Sequence, residues 1–585
     1  MGARIAAHFA NAGVPSYLLD IVPPDAGSNR NKIAAAGLEA AKKSKPAAFF
    51  EASLANLVTV GNFEDDLKKL AEVDWIIEAV VENLEIKREL LKKVDAVRKP
   101  GTVITTNTSG LPVAKIAEGF PDDFRRCWFG THFFNPPRYM RLLEIIPTPE
   151  TDRALIEAVT WFSDVQLGKG VVVAKDTPNF IANRIGTFSV VNVMRLMQEM
   201  DFTIEEVDAL TGQAIGWPKS ATFRTIDLVG LDILGHVVSN MPADAGGQEC
   251  PPYTLPDFYK QMLDRKWLGD KTKGGFYKKN VGRTRPALSG AEGSASNQED
   301  ERLALDWKTL EYRPRQKAKF PAVDMAKNVE DLGARLRMLL GMAGQPQKGD
   351  KAGAFLWSVL SDLWNYCANH IPEISDTIVE IDRAMKLGFN WELGPFELWD
   401  AAGVEATVAR MKKEGKPVAA NLEKLLASGK KSWYSDEAKP GRAYWELRTE
   451  NWEPIKLPQG VWSVTAAKKS NGVVKKNSGA SVVDLGDGVA AIEFHSKMNT
   501  LGTDIVSLIS QTLKPNGPGD NFEAFVITND APNFSVGANL MLLLMSVQEE
   551  EWDDVDLAIR QFQGMTQAIK FSPKPVVIAP FGMTL

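Results

Sequence analysis

Apolar and polar positions alternate between two rhythms through the N-terminal part of the chain. Met1–Ala12 places its apolar residues at helical spacing, and Gly13 is well placed to stop that helix. Tyr17–Ile21 is a short apolar run with Asp20 near its end, and a Lys- and Ala-rich helical stretch follows. Asp74–Val81 (DWIIEAVV) has the continuous apolar character of a buried strand. Leu84, Lys87, Leu91 and Val94 return to helical spacing, and Thr102–Thr106, Trp128–Phe134 and Leu142–Ile146 read as further strands. Buried strands alternating with helices predict an α/β unit, a doubly wound and mainly parallel sheet, over residues 1–174.

From Lys175 the pattern becomes mostly helical, giving an all-α unit over 175–280. Residues 281–350 are polar and broken (RTRPALSGAEGSASNQEDE), as expected of a linker or surface excursion. A second helical block occupies 351–430, and residues 475–585 turn β-like again. The two helical blocks echo each other: Glu205–Asp232 matches Val379–Glu405, pairing Asp208 with Asp382, Phe223 with Phe396, Asp227 with Asp400 and Gly230 with Gly403. Such self-similarity points to one helical unit present twice.

Composition narrows the picture. At 585 residues the chain needs several cores, and 44% hydrophobic with 24% charged residues is ordinary for a globular protein. The net charge of −6 argues against a nucleic-acid or anionic-membrane binder. The three cysteines, Cys127, Cys250 and Cys367, have no metal-binding spacing, so no metal site and no disulfide framework are expected. No apolar run reaches bilayer-spanning length, and a cytoplasmic protein is the default expectation.

A dinucleotide-binding loop needs glycines between a strand and a helix. Gly2 stands where the third such glycine belongs, and Asp20, at a strand end, is placed to bond an adenosine ribose 2′-hydroxyl, which favours NAD over NADP. The same two residues also suit a helix-packing glycine and a turn acid. The strand and glycines expected ahead of Gly2 are not in the sequence, which suggests a nucleotide domain clipped at its start. Further along, His132 lies near a strand end before an Asn-Pro-Pro turn, and the returning strand brings Glu144 back towards it. An imidazole suits the removal of a hydroxyl proton during hydride transfer, and a carboxylate beside it fixes its tautomer. Ser109 and Asn183, at a strand end and a helix start, are placed to bond substrate oxygens. A structural histidine is the other reading of His132 taken alone. Glu82 and Lys87 read by themselves as an exposed ion pair at a helix start, worth tenths of a kcal/mol.

Taken together, TNTSGL at Thr106–Leu111, GTHFFNPPRYMRLLEII at Gly130–Ile146 and KDTPNFIANR at Lys175–Arg184 closely resemble the 3-hydroxyacyl-CoA dehydrogenase family of fatty-acid β-oxidation. The resemblance implies NAD as cofactor, an acyl-CoA substrate, His132 as catalytic base, Glu144 as its partner, and Ser109 and Asn183 as positioning groups. It also implies nucleotide contacts by Glu82 and Lys87, nicotinamide-end roles for Asn107 and Asn135, and a lysine near the cofactor at Lys271. The second helical block resembles another copy of the family's helical C-terminal domain, with a packing role.

Ala531–Leu540 (APNFSVGANL) resembles the oxyanion-hole segment of the crotonase (enoyl-CoA hydratase/isomerase) family, with Ala538 as the matching amide donor and Asn499 at that family's first strand-to-helix turn. The family's second donor and its glutamates are expected beyond Leu585, so a partial domain is the reading here. The order of domains resembles bacterial multifunctional β-oxidation proteins, which implies a homodimer or a thiolase subunit as partner. The competing expectation is an inactive fragment that only binds acyl-CoA or partner proteins.

Overall fold

The computed structural model describes residues 1–241, 254–279, 302–341, 351–435, 442–456, 461–531 and 533–584. The chain divides into two units: Met1–Trp433 with Glu446–Asn451, and Tyr434–Trp445 with Trp452–Leu585.

The first unit opens with α1 (Gly2–Asn11), β1 (Ser16–Asp20), α2 (Lys32–Lys42), β2 (Val58–Asn62), β3 (Trp75–Glu78), α3 (Leu84–Asp95) and β4 (Val103–Thr106). Then come α4 (Val113–Ile116), α5 (Asp122–Arg126), β5 (Trp128–Phe133), β6 (Leu142–Pro147), α6 (Arg153–Val165) and β7 (Gly170–Val173). The strands form two sheets rather than one: a parallel β1-β2 pair, and a five-stranded sheet in the order β3-β4-β5-β6-β7. Within the latter, β5 and β6 run antiparallel and the other pairs are parallel, so the sheet is mixed. β2 and β7 were not foreseen from the pattern.

Helix α1 serves both sheets because its faces differ. Ile5 and Phe9 pack with Phe129, Phe133, Leu143 and Ile145. The small residues Ala6, Ala7 and Ala10 let Leu38, Ala41 and Val58 approach on the other side. Gly13 follows α1 at φ 78°, the left-handed conformation that ends a helix. Asn83 starts α3 by accepting from the Ile86 amide at 3.0 Å.

The helical part comprises α7 (Ala182–Glu199), α8 (Ile204–Leu210), α9 (Ala221–Val229), α10 (Leu231–Ser239) and α11 (Asp257–Asp264), with β8 (Tyr277–Lys279). Beyond it, β9 (Arg302–Asp306), β10 (Glu311–Pro314), α12 (Pro321–Ala326) and α13 (Leu332–Leu339) occupy a stretch expected to be a linker. That expectation is corrected for 302–341. β8, β9 and β10 form one sheet, Trp307 donates to the Phe202 carbonyl at 2.9 Å, and Arg313 grips the buried Glu205 at 2.6 and 2.9 Å. The polar stretch that suggested a linker lies at 283–301, whereas 302–341 buries Leu305, Leu310, Val323, Leu332, Leu336 and Leu339. Residues 281–301 and 342–350, and Cys250, lie outside the described residues.

The repeat supplies α14 (Lys351–Asn369), α15 (Ile378–Gly388), α16 (Pro395–Ala402), α17 (Val404–Lys413) and α18 (Ala420–Ala427). Its matched aspartates do matched work. Asp208 accepts from the amides of Phe223 and Arg224, and Asp382 from those of Phe396 and Glu397. Asp227 accepts from the Phe276 and Tyr277 amides, and Asp400 from that of Trp433. The copies pack through α7 and α14, where Phe188 stacks on Tyr366 with ring centroids 3.9 Å apart and Arg195 pairs with Asp362 at 2.9 Å. Phe389 of the second copy lies against Gly186 of α7, where an added Cβ would come within 2.0 Å of the ring.

The second unit holds β11 (Tyr434–Ser435), β12 (Ala443–Glu446), β13 (Asn451–Pro454), α19 (Val464–Ser470), β14 (Val473–Lys476), β15 (Ala480–Gly486), β16 (Val489–Phe494), α20 (Thr503–Thr512), β17 (Ala524–Thr528), α21 (Leu540–Gln548), α22 (Trp552–Lys570) and β18 (Val576–Ile578). Strands β14 to β18 make one sheet in sequence order, antiparallel to β16 and parallel thereafter. Ile505, Leu508 and Ile509 of α20 cover Ile492, Phe525 and Ile527. Among the described residues, no helix is long and apolar enough to cross a membrane, and no cluster of metal-ligating side chains occurs. Cys127 and Cys367 are buried and form no disulfide among the described residues.

Candidate active site

The antiparallel register of β5 and β6 sets His132 directly opposite Glu144. The pair is buried, and His132 Nδ1 lies 2.7 Å from Glu144 Oε2. The second carboxylate oxygen, Oε1, accepts from the Ile181 and Ala182 amides at 3.1 and 2.9 Å. Those amides open α7, so the carboxylate sits at a positive helix terminus. Asn179 and Phe180 precede them at φ 61° and 52°, a left-handed turn that aims the amides back at Glu144. With Nδ1 donating to Glu144, the Nε2 of the neutral ring accepts from the Ser109 hydroxyl at 3.1 Å. Phe134 and Phe180 flank the imidazole at 4.9 and 5.5 Å between centroids.

Asn183 follows Ala182 in the first turn of α7, half-buried, and its side chain has no hydrogen-bond partner among the described residues. Asn107 ties strand ends together: its amide donates to the Glu78 carbonyl at 2.7 Å and its Oδ1 accepts from the Phe133 amide at 2.9 Å. Asn135 Oδ1 accepts from Arg4 of α1 at 2.7 Å. Gly2 lies where an added Cβ would reach Leu18 of β1 at 3.7 Å and Ala79, just past β3, at 3.9 Å. Asp20 ends β1, and among the described residues its carboxylate accepts only from its neighbour's amide, that of Ile21, at 2.8 Å. Lys271 pairs with Asp232 at the start of α10, away from the dyad's own hydrogen bonds.

Glu82 and Lys87 are not an exposed pair. The Lys87 side chain is 1% exposed, and its ammonium donates to both oxygens of Glu78 at 2.9 and 3.0 Å, with Glu82 Oε2 at 3.3 Å. Glu78 also accepts from the Thr106 hydroxyl at 2.6 Å and the Val80 amide at 2.7 Å. Sequence reasoning passed over Glu78, although an acid inside the apolar run DWIIEAVV signals a buried carboxylate that must find a cation. It also passed over Asp176, which accepts from the Val113 and Ala114 amides at 2.8 Å each, and over Lys169, which holds the Pro137 and Met140 carbonyls in the connection between β5 and β6. Burial lowers the Lys169 ammonium to about 8.

In the second unit, Leu501 and Ala538 form a parallel bridge, flanked by Leu501 N to Gly537 O and Asn539 N to Leu501 O. The Ala538 amide between them has no acceptor among the described residues. Asn499 donates to the Asn533 carbonyl at 2.9 Å and its own carbonyl accepts from Ser535 at 2.8 Å.

The sequence model of the 3-hydroxyacyl-CoA dehydrogenase NAD binding domain matches residues 1–177. That of the 3-hydroxyacyl-CoA dehydrogenase C-terminal domain matches twice, at 180–279 and 356–435. A probable 3-hydroxyacyl-CoA dehydrogenase of Bacillus subtilis strain 168 is 43% identical over 598 residues, covering 100% of this chain and 72% of its own length. The chain belongs to the 3-hydroxyacyl-CoA dehydrogenase family. It is therefore an NAD-dependent oxidoreductase. A Rickettsia felis protein that carries the name fatty acid oxidation complex trifunctional enzyme is 28% identical, covering 100% of this chain and 74% of that one. The fold matches a crystal structure of 3-hydroxybutyryl-CoA dehydrogenase from Escherichia coli K12 at a TM-score of 0.52 and 22% identity, over 73% of this chain and 97% of the other. The double match of the C-terminal domain places the internal repeat within the family's own helical fold.

Proposed function

We propose that the chain oxidises (3S)-hydroxyacyl-CoA to 3-ketoacyl-CoA with NAD⁺ in fatty-acid β-oxidation, with His132 and Glu144 as the catalytic pair. The observation that carries this reading is the hydrogen-bonded series Ser109–His132–Glu144–α7, buried where the ends of β4, β5 and β6 meet the first turn of α7. Bound NAD⁺ supplies the hydride acceptor, the nicotinamide C4. The residues present fit that cofactor: the opening amides of α1 and the dipole behind them suit a pyrophosphate, and Asp20, with spare acceptor capacity, suits a ribose 2′-hydroxyl while repelling a 2′-phosphate.

His132 Nε2 removes the substrate's 3-hydroxyl proton as the hydride leaves C3. The C3–H and O–H bonds break, the C=O bond forms, and the proton stays on Nε2. Glu144, held by two amides, stabilises the resulting imidazolium without moving. The hydroxyl of Ser109 and the unpartnered amide of Asn183 are placed to bond the substrate's oxygens. Acetoacetyl-CoA added to protein with NADH tests the reading by the loss of NADH absorbance. Tight acetoacetyl-CoA binding without turnover supports instead a chain that only binds.

The second unit fits a crotonase-type acyl-CoA domain, on the strength of the unpartnered Ala538 amide beside the Leu501 bridge. Such an amide would donate to a thioester carbonyl. Ala538→Pro removes that donor, and its expected effect is loss of one acetyl-CoA site in calorimetric titration while dehydrogenase turnover is retained.

A further inference from the structure

The geometry at Glu82 points away from the nucleotide. Its Oε1 accepts three hydrogen bonds: from the Thr108 hydroxyl at 2.5 Å, the Ser109 amide at 3.0 Å and the Gly110 amide at 3.0 Å. Its Oε2 faces Lys87, whose ammonium is shared with Glu78. A carboxylate offers about four acceptor sites, so little of this one is left for a ligand. Burial favours the neutral acid, but the Thr108 hydroxyl, the Lys87 charge and the two amides outweigh it and keep the carboxyl below its ordinary range. A permanent charge therefore sits beneath a turn that would otherwise leave two amides unsatisfied.

That turn carries Ser109. Its amide is bound to Glu82 while its hydroxyl reaches His132 Nε2. The Thr108 hydroxyl donates to the same carboxylate oxygen and accepts from the Leu111 amide at 3.1 Å, closing the turn on itself. We infer that Glu82 is a positioning residue whose carboxylate, fixed by Lys87, holds the Thr108–Gly110 turn so that the Ser109 hydroxyl meets His132. This rests on the reading of Ser109 and His132 as parts of the catalytic site, and it gives Glu82 a role different from nucleotide contact.

The test compares Glu82→Ala, Glu82→Gln, Ser109→Ala and the double variant Ser109→Ala/Glu82→Ala, measuring kcat at saturating acetoacetyl-CoA and NADH, and NADH Kd by fluorescence. Displacing a reacting group by about 1 Å costs on the order of a hundredfold, and kcat of Glu82→Ala is expected to fall by that amount with NADH Kd unchanged. Glu82→Gln keeps an acceptor oxygen for the same three donors and recovers part of the rate. With Ser109 already replaced, removing Glu82 costs no further activity, an outcome a general loss of stability does not give. Should Glu82→Ala not fold, Glu82→Gln measured with and without Ser109 carries the same comparison. Weakened NADH binding at undiminished kcat overturns the inference, as does a full multiplicative loss in the double variant. His132→Ala separates the two levels: its retention of full activity removes the underlying reading, whereas its inactivity beside a fully active Glu82→Ala removes this inference alone.

Discussion

Trp217 stacks on Trp391, with ring centroids 4.5 Å apart and planes 11° from parallel. The alignment that pairs Asp208 with Asp382 also pairs these two tryptophans, so the copies meet through their own equivalent residue. Gly216 and Glu392, beside them, are joined by a hydrogen bond of 2.7 Å from the Glu392 amide. Equivalent residues in mutual contact are the mark of a two-fold relationship, here built within one chain.

Both tryptophans are buried, so replacing either with Ala should cost about 3–5 kcal/mol. The double replacement should cost less than the sum by about 1 kcal/mol, the coupling expected of an aromatic pair. Denaturant unfolding of the four proteins measures this, and strict additivity would show that the stack is incidental.

Lys87→Ala leaves the buried Glu78 carboxylate without its cation. Removing one partner from a buried ion pair costs about 3–5 kcal/mol, far more than the tenths expected of an exposed pair. A melting temperature unchanged from the parent would show that the ammonium is dispensable.

His8 is buried in α1 and donates from Nε2 to the Leu167 carbonyl at 3.1 Å, while its Nδ1 has no partner among the described residues. Burial, helped by the Lys169 charge, pushes it down to about 4 from the ordinary 6.5. Below pH 6.5 the unfolded chain takes up a proton that the folded chain refuses. Stability from this residue is therefore full above pH 6.5, falls as pH drops towards 4, and levels off below it, a total of about 3 kcal/mol. His8→Leu should flatten that part of the stability profile, and an unchanged slope between pH 6.5 and 4 would count against the burial.

The pairing of His132 with Glu144 was drawn from the resemblance of three segments to the family, since their spacing alone equally suits a structural histidine; the β5–β6 register sets the two opposite each other. The role of Glu82 was not legible: it depends on Glu78, Thr108 and Lys87 converging from separate elements, and only tertiary structure brings them together. The 302–341 region was misread because the polar composition of 283–301 was extended over it, although it has its own apolar positions, such as Leu305, Leu332 and Leu336, and is tied down by Arg313 and Trp307.

The most direct measurement is the rate of acetoacetyl-CoA-dependent NADH oxidation by the unaltered chain and by His132→Ala and Glu144→Gln. General-base catalysis is worth about 10²–10⁴-fold, so turnover in the unaltered chain and a loss of that order in His132→Ala are expected, with Glu144→Gln impaired to a lesser extent and NADH binding kept in both. Full turnover by His132→Ala would contradict the account.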